Sequence, residues 1–216
     1  MPDKKNDFLK IIFSYRGIKN NPYIEELLSI AESSSDRSSI IEIIHEKRSE
    51  LVAKYCFSIP FPFVLEEIKK YSPIVELGAG TGYYAWCLKK LGLKVEPFDL
   101  YSPDDEEAFD FMGGNLWFEE TWTMVLSGDE TVLPAYNDHA LFLCWPPPES
   151  DMALNALEIF RNAGGRYLIY IGDPVSSAKE NFFSELSKFQ LVKELKIPSW
   201  KVINEKLMII DLKVMN

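Results

Sequence analysis

The spacing of apolar residues changes character near Pro73. Before that residue, apolar side chains recur at steps of three, four and seven positions, as in the run from Ile40 to Tyr55, whose opposite face carries charged residues. This spacing predicts amphipathic helices over roughly the first 70 residues. After Pro73, short apolar runs alternate with helical stretches, which predicts a parallel sheet with helices on both faces.

The second half of the chain divides into alternating strands and helices. The pattern predicts strands over 74–77, 95–98, 140–145, 167–171 and 207–214, and helices over 83–91, 152–160 and 182–189. A further extended stretch, 191–197, lies shortly before the last run. These two segments predict a hairpin at the edge of the sheet.

A glycine-rich turn follows the first predicted strand directly. Gly78, Gly80 and Gly82 precede a helix that starts near Tyr83. Glycine permits backbone angles closed to other residues and lets a ligand approach the main chain, here at the carboxyl edge of the sheet. The dinucleotide fingerprint GxGxxG would require glycine at position 83, where the chain has tyrosine. A turn that merely joins strand to helix is the plain alternative.

The segment from Glu76 to Gly82 resembles motif I, (D/E)xGxGxG, of the class I S-adenosylmethionine (SAM)-dependent methyltransferases. The resemblance covers about residues 58–214. It implies a Rossmann-like, seven-stranded, mostly parallel sheet with helices on both faces. The first 57 residues lie outside the family pattern, so we expect an N-terminal helical cap, 1–57, ahead of a methyltransferase domain, 58–216. The residues expected to bind SAM in this turn are Glu76, Gly78, Ala79, Gly80 and Gly82.

Two aspartates beyond the turn are further candidates for SAM binding. Asp99 ends the second strand, where an acid can accept hydrogen bonds from both ribose hydroxyls, and it matches the ribose-binding position of the family. Glu96 competes less well because it lies within the strand. Asp129, beside Gly128, resembles the acid that contacts the adenine amino group in these enzymes. An ordinary turn aspartate explains Asp129 equally well.

A Trp-Pro-Pro segment ends the strand over 140–145. It resembles motif IV, (D/N/S)PP(Y/F/W), of amino-methylating enzymes, and the chain is similar to a set of predicted methyltransferases that carry Trp-Pro-Pro. Trp145 replaces the polar residue of that motif and Pro148 replaces the aromatic one. An indole cannot accept a proton, so the amine-activating role does not transfer. We expect Trp145, Pro146 and Pro147 to line the acceptor site; packing of Trp145 under the N-terminal helices is the alternative.

Charge and cysteine content narrow the class of protein. The 216 residues carry a net charge of -10 with scattered basic residues, which disfavours nucleic acid as the acceptor. Cys56, Cys87 and Cys144 have spacing typical of neither a disulfide framework nor a metal site. The sequence has neither a signal peptide pattern nor an apolar run of about 20 residues, so we expect a cytoplasmic protein without a membrane partner.

These patterns predict transfer of a methyl group from SAM to an acceptor that is a small molecule or a protein side chain. Three alternatives stay open: a SAM-binding regulatory protein without methyl transfer, an NAD-linked oxidoreductase, and an interaction domain that uses the amphipathic helix. The sequence leaves the acceptor and the oligomeric state undetermined.

Overall fold

The computed structural model describes residues 4–17, 19–34, 39–101, 121–200 and 203–215. Its α-helices are α1 (Lys4–Ser14), α2 (Pro22–Ser33), α3 (Ile40–Glu46), α4 (Arg48–Lys54), α5 (Pro62–Ile68), α6 (Tyr83–Lys90), α7 (Met152–Asn162) and α8 (Glu180–Leu186). Short 3-10 helices cover Lys69–Tyr71 and Glu130–Tyr136. The strands are β1 (Ile74–Leu77), β2 (Val95–Asp99), β3 (Leu126–Ser127), β4 (Ala140–Cys144), β5 (Tyr167–Gly172), β6 (Phe189–Lys196) and β7 (Lys206–Met215).

The strands form one seven-stranded sheet in the order β3-β2-β1-β4-β5-β7-β6. Strands β1 to β5 pair in parallel, with Leu77 beside Phe98 of β2 and Leu143 of β4. The order 3-2-1-4-5 is that of a doubly wound α/β sheet, in which ligands bind outside the carboxyl ends of the strands. The predicted α/β class and mostly parallel sheet are confirmed.

The predicted edge hairpin is also confirmed, with one feature that the sequence did not indicate. Strand β7 pairs antiparallel with β6 and also antiparallel with β5, so it lies between them. After β5 the chain therefore forms the outermost strand β6 and then returns as β7, which lies between β5 and β6. Most apolar residues of β7 are buried, whereas most residues of β6 are exposed, which agrees with an inner strand and an edge strand.

Two local predictions differ from the structure. The expected helix across 40–55 is divided at Lys47, where the backbone turns (φ -84°, ψ 1°) while Leu51 N–H still donates to Lys47 O over 3.0 Å. Both halves bury their apolar side, with Ile44 in α3 and Leu51 in α4, so the division leaves the apolar stripe on the core. Strand β3 was not predicted because two residues are too few to show alternation.

The N-terminal helices share one apolar core with the sheet. Tyr23 and Leu27 of α2 belong to the same buried cluster as Tyr84 of α6 and Phe142 of β4. A second cluster, containing Phe160 of α7, covers the other face. Helices therefore cover both faces, as predicted. Full burial of a side chain such as Leu27 contributes about 1.5–3 kcal/mol to folding. The division of the chain at residue 57 stays a prediction.

Over the part of the chain that the structure describes, the helices are all too short or too polar to cross a lipid bilayer.

Candidate cofactor and acceptor site

The turn between β1 and α6 depends on its glycines. Gly78, Gly80 and Gly82 have φ values of +73°, +56° and +67°, in the left-handed region that favours glycine. A side chain at position 78 would also lack space, because a Cβ on Gly78 would lie 2.7 Å from Met152 Cε. The turn therefore brings bare backbone to the carboxyl end of β1.

The three glycines have different surroundings. Gly78 and Gly80 line a cavity at the carboxyl edge of the sheet, together with Ala79. Gly82 is absent from that lining among the described residues, and a Cβ there would lie 2.8 Å from Val125 Cγ2. Gly82 thus allows α6 to start against the segment before β3, while the other two face the space where a ligand would lie.

Asp99 joins the end of β2 to this turn. Its Oδ2 accepts a hydrogen bond from Gly80 N–H (2.8 Å), and its Oδ1 accepts one from Tyr101 N–H (3.0 Å). Burial raises the pKa of the Asp99 carboxyl, and the two N–H donors oppose that shift. Asp99 also lines the cavity. Each carboxylate oxygen retains a second lone pair for a ligand hydroxyl.

Glu76 is a buried acid at the same edge. Its side chain is 2% exposed and lines the cavity, and its Oε2 accepts no hydrogen bond from any described residue. Burial raises the pKa of the Glu76 carboxyl to about 8, although Lys89 and a backbone bond from Ala85 act to lower it. A buried carboxyl with an unsatisfied oxygen is costly unless a donor or cation is provided.

The cavity has a volume of about 880 Å³, within the range of small-molecule sites. It brings together most of the residues that the sequence singled out: Glu76, Gly78, Ala79, Gly80, Asp99, Asp129, Trp145, Pro146 and Pro147. The glycine turn and the Trp-Pro-Pro segment therefore border one continuous space.

Asp129 has a local structural task. It caps the 3-10 helix over Glu130–Tyr136, where its Oδ1 accepts hydrogen bonds from Thr131 N–H (2.9 Å) and Thr131 Oγ1 (2.5 Å). These bonds lower the pKa of the Asp129 carboxyl. This capping role accounts for an aspartate at position 129 without any ligand. Because Asp129 also lines the cavity, a contact with the adenine of SAM stays a prediction.

Trp145 has a backbone conformation that is unusual for tryptophan. Its φ is +53°, and its N–H donates to Ile171 O over 2.7 Å. Holding a non-glycine residue in this region costs about 1–3 kcal/mol and is typical of functional sites. The indole Nε1–H donates to Glu205 Oε1 (2.6 Å), and the ring stacks on Phe57 with centroids 5.8 Å apart.

Several residues near the site were not predicted from the sequence. Phe57, Tyr84 and Cys144 line the cavity, and Glu205 lies behind Trp145 with 2% exposure. Burial raises the pKa of Glu205, while its bond to Trp145 acts in the opposite direction. Glu205 could not be found locally because it precedes β7, 60 residues beyond Trp145.

The remaining candidate side chains are His139 and the three cysteines. His139 precedes β4 at the amino edge of the sheet, where Nδ1 lies 2.7 Å from Asp138 Oδ1. The three cysteines are free, and burial raises the pKa of each thiol. Within the described ranges, His, Cys, Asp and Glu side chains form no group that could hold a metal ion.

No protein-family model matches the chain, and no curated protein matches its sequence. Similar solved structures include the magnesium protoporphyrin IX methyltransferase of Synechocystis PCC 6803 with bound SAM, at 12% identity and a TM-score of 0.46 over 98% of each chain. TrmK of M. capricolum, in complex with S-adenosylhomocysteine, is 13% identical with a TM-score of 0.43, over 72% of this chain and 70% of that one. A protein in the NADB-Rossmann superfamily from Streptococcus agalactiae is 12% identical with a TM-score of 0.43, over 70% and 68%. The α/β fold of this chain is given by its own strand order and register.

Proposed function

We propose that this chain is a SAM-dependent methyltransferase that acts on a small molecule or a protein side chain. The observation that carries the proposal is the hydrogen bond between Gly80 N–H and the Asp99 carboxylate, 2.8 Å long, on the wall of the cavity. It joins the acid-glycine turn to the acid that ends the next strand. A ribose held by Asp99 would then lie directly beside the backbone of the turn.

The residues present fit SAM by charge and by hydrogen bonding. Asp99 has lone pairs left for two ribose hydroxyls after its bonds to Gly80 and Tyr101. Glu76 has a buried oxygen without a donor, and the sulfonium and amino groups of SAM are cations that would compensate its charge. NAD fits less well because the third glycine of its fingerprint is replaced by Tyr83, whose hydroxyl accepts from Tyr23 N–H (2.9 Å).

Methyl transfer from SAM requires little acid–base or nucleophilic chemistry from protein side chains. SAM supplies an activated methyl group, and the protein aligns the acceptor with it and excludes water. In this chain Glu76, Asp99 and the glycine turn would hold the cofactor. Trp145 and Pro146 would border the acceptor in the same cavity.

Calorimetric titration with SAM and with S-adenosylhomocysteine tests the proposal. We expect micromolar binding, about -8 kcal/mol, to the wild type and to the control Glu96→Gln, which changes a half-buried acid of the same strand. Asp99→Ala and Gly80→Asp should weaken binding at least about tenfold, because one removes the ribose acceptors and the other adds a side chain at φ +56°. A folded wild type that binds neither compound would overturn the proposal.

One observation favours a second candidate, a SAM-binding regulatory protein without methyl transfer. Trp145 stands where amino-methylating enzymes have a polar residue, and its indole N–H is already bonded to Glu205. Incubation of the protein with SAM and pools of amines, acids, phenols and peptides distinguishes the two functions. Acceptor-dependent formation of S-adenosylhomocysteine would exclude the regulatory protein.

A further inference from the structure

The charge of the cavity wall is strongly one-sided. Among the described residues that line it there is no Lys, Arg or His, whereas six side chains carry carboxyl groups: Glu76, Asp99, Asp129, Glu130, Glu149 and Asp151. The proposed SAM site uses Glu76 and Asp99. The remaining carboxyl groups give the cavity more negative charge than one SAM molecule requires.

Some of these acids are already paired within the protein. Asp151 Oδ2 accepts from Lys179 Nζ (2.9 Å), and Glu130 Oε1 accepts from Asn155 Nδ2 (2.9 Å). Glu149 differs: it lies at the exposed rim, directly after the three prolines, and forms no ion pair with the described part of the chain. Glu149 is therefore a carboxylate of the cavity wall that neither the proposed SAM site nor an ion pair with the described residues uses.

Trp145 adds a second preference for positive charge. Its indole N–H donates to Glu205, which is not among the lining residues, whereas Trp145 itself lines the cavity. Aromatic ring faces attract cations, tryptophan most strongly. The Glu205 oxygen that accepts the indole N–H polarises the ring further in that direction. Phe57, stacked on Trp145, extends the apolar surface.

We propose that the methyl acceptor is an amine that enters the cavity as an ammonium ion, bound between the ring face of Trp145 and the carboxylate of Glu149. This inference rests on the proposed function and narrows its substrate class. The ammonium group first releases one proton to water. The nitrogen lone pair then forms a bond to the methyl carbon of SAM as the carbon–sulfur bond breaks, and the bonding pair stays on sulfur. The products are the N-methylated ammonium ion, S-adenosylhomocysteine and one proton.

The ammonium group could belong to a free amine or to a lysine side chain. The cavity volume of about 880 Å³ is that of a small-molecule site, which favours a free amine. Both sources share the same chemistry at the nitrogen, and separate probes distinguish them.

The test uses the full chain saturated with S-adenosylhomocysteine at pH 7, with calorimetric titration of matched probes. The probes are 2-phenylethylamine (a cation), 2-phenylethanol (neutral), 3-phenylpropionate (an anion) and a short lysine peptide. We expect the amine to bind at least about tenfold more tightly than the alcohol, and the anion not to bind. Glu149→Gln and Trp145→Leu should each reduce this preference, whereas Trp145→Phe, which keeps a ring face, should reduce it less. Glu158→Gln, which removes an exposed charge on α7, should leave it unchanged.

The outcomes separate the two proposals. If S-adenosylhomocysteine binds and the alcohol or the anion binds as tightly as the amine, the amine proposal fails while the proposed function stands. The same holds if Glu149→Gln and Trp145→Leu both leave the cation preference unchanged. Tighter binding of the lysine peptide than of phenylethylamine would support an amine but assign it to a protein. If S-adenosylhomocysteine does not bind, both proposals fail.

Discussion

The backbone N–H of Gly80 donates to Asp99 Oδ2 over 2.8 Å, although 19 residues separate the two along the chain. The other oxygen of the same carboxylate accepts from Tyr101 N–H over 3.0 Å. Asp99 therefore holds the glycine turn and the end of β2 in one arrangement within the protein itself. A ligand would meet a site whose backbone is already fixed, which lowers the entropic cost of binding.

Because of these two bonds, Asp99→Asn should lower the free energy of unfolding by about 1–3 kcal/mol even without cofactor. An asparagine amide keeps one acceptor oxygen, but its NH2 group faces the second backbone donor and leaves that N–H unsatisfied. Urea denaturation followed by circular dichroism measures the change. Glu96→Gln in the same strand is the control and should change stability by less than about 0.5 kcal/mol. Equal stabilities of the two variants would contradict the prediction.

The buried carboxyl of Glu76 predicts a specific pH dependence of stability. Its pKa is about 8 in the folded protein against an ordinary value of 4.5, so the folded state binds its proton more tightly. The contribution to stability is therefore fully present below about pH 4.5 and is lost as the pH rises through 8. Glutamine cannot titrate, so Glu76→Gln should gain stability relative to the wild type across this window and level off above it.

Denaturation midpoints of wild type and Glu76→Gln at intervals from pH 4.5 to 9 measure this difference. Glu158→Gln, at an exposed position of α7, provides the matched control, and its difference from wild type should be flat. A flat difference for Glu76→Gln as well would show that burial does not disfavour the ionised form of Glu76.

The same carboxyl predicts a proton balance for cofactor binding. At pH 7 a group with a pKa of about 8 is mostly protonated, and the cationic end of SAM favours its ionised form. Binding of SAM should therefore release a fraction of a proton from Glu76 at pH 7. Calorimetry in phosphate and in Tris, whose ionisation enthalpies differ, measures the release. Glu76→Gln should bind SAM more weakly and release no proton. Binding to wild type with equal heats in both buffers would contradict the assignment.

The part of the site that could be predicted from the sequence consists of residues at strand ends. The glycine turn after β1 and Asp99 at the end of β2 are marked by a local change from apolar to polar or glycine residues. Parallel strands bring their carboxyl ends to one edge, so the sheet itself places these segments together. Trp145 follows β4 and comes to the same edge for the same reason.

The partners of these residues could not be predicted in this way. Phe57 reaches the cavity from the segment between α4 and α5, and Glu205 reaches Trp145 from the loop before β7. Neither contact follows from local spacing, because each depends on how distant elements pack. For Gly82, the motif predicted a role in cofactor binding, whereas its neighbours in the structure are Val125 and Thr123.

A buried polar cluster fixes α2 against α6 and makes a fourth prediction. Tyr83 OH donates to Asn21 Oδ1 (3.0 Å) and accepts from Tyr23 N–H (2.9 Å), while Asn21 Nδ2 donates to Pro60 O (2.8 Å). Tyr83→Phe removes one hydroxyl and leaves a buried donor and a buried acceptor short of a partner. We expect a loss of about 1–3 kcal/mol in urea denaturation. Tyr71→Phe, at a half-buried position, should cost less, and equal costs would contradict the role of this cluster.

The last prediction concerns the hydrogen bond between Trp145 and Glu205. It distinguishes the contribution of this bond to stability from the cost of burying the Glu205 carboxyl. Glu205→Gln keeps an oxygen acceptor for the indole N–H and removes a carboxyl whose ionised form burial disfavours. The stability of this variant at pH 7 should therefore equal or exceed that of the wild type.

Glu205→Ala leaves the indole N–H unpaired beside a small void and should lower the free energy of unfolding by at least about 2 kcal/mol. In a Trp145→Phe background, where no indole N–H remains, Glu205→Ala should cost about 1 kcal/mol less, as measured by a double-mutant cycle. Strictly additive costs would mean that Glu205 stabilises the fold by packing alone and does not hold the ring of Trp145 at the cavity wall.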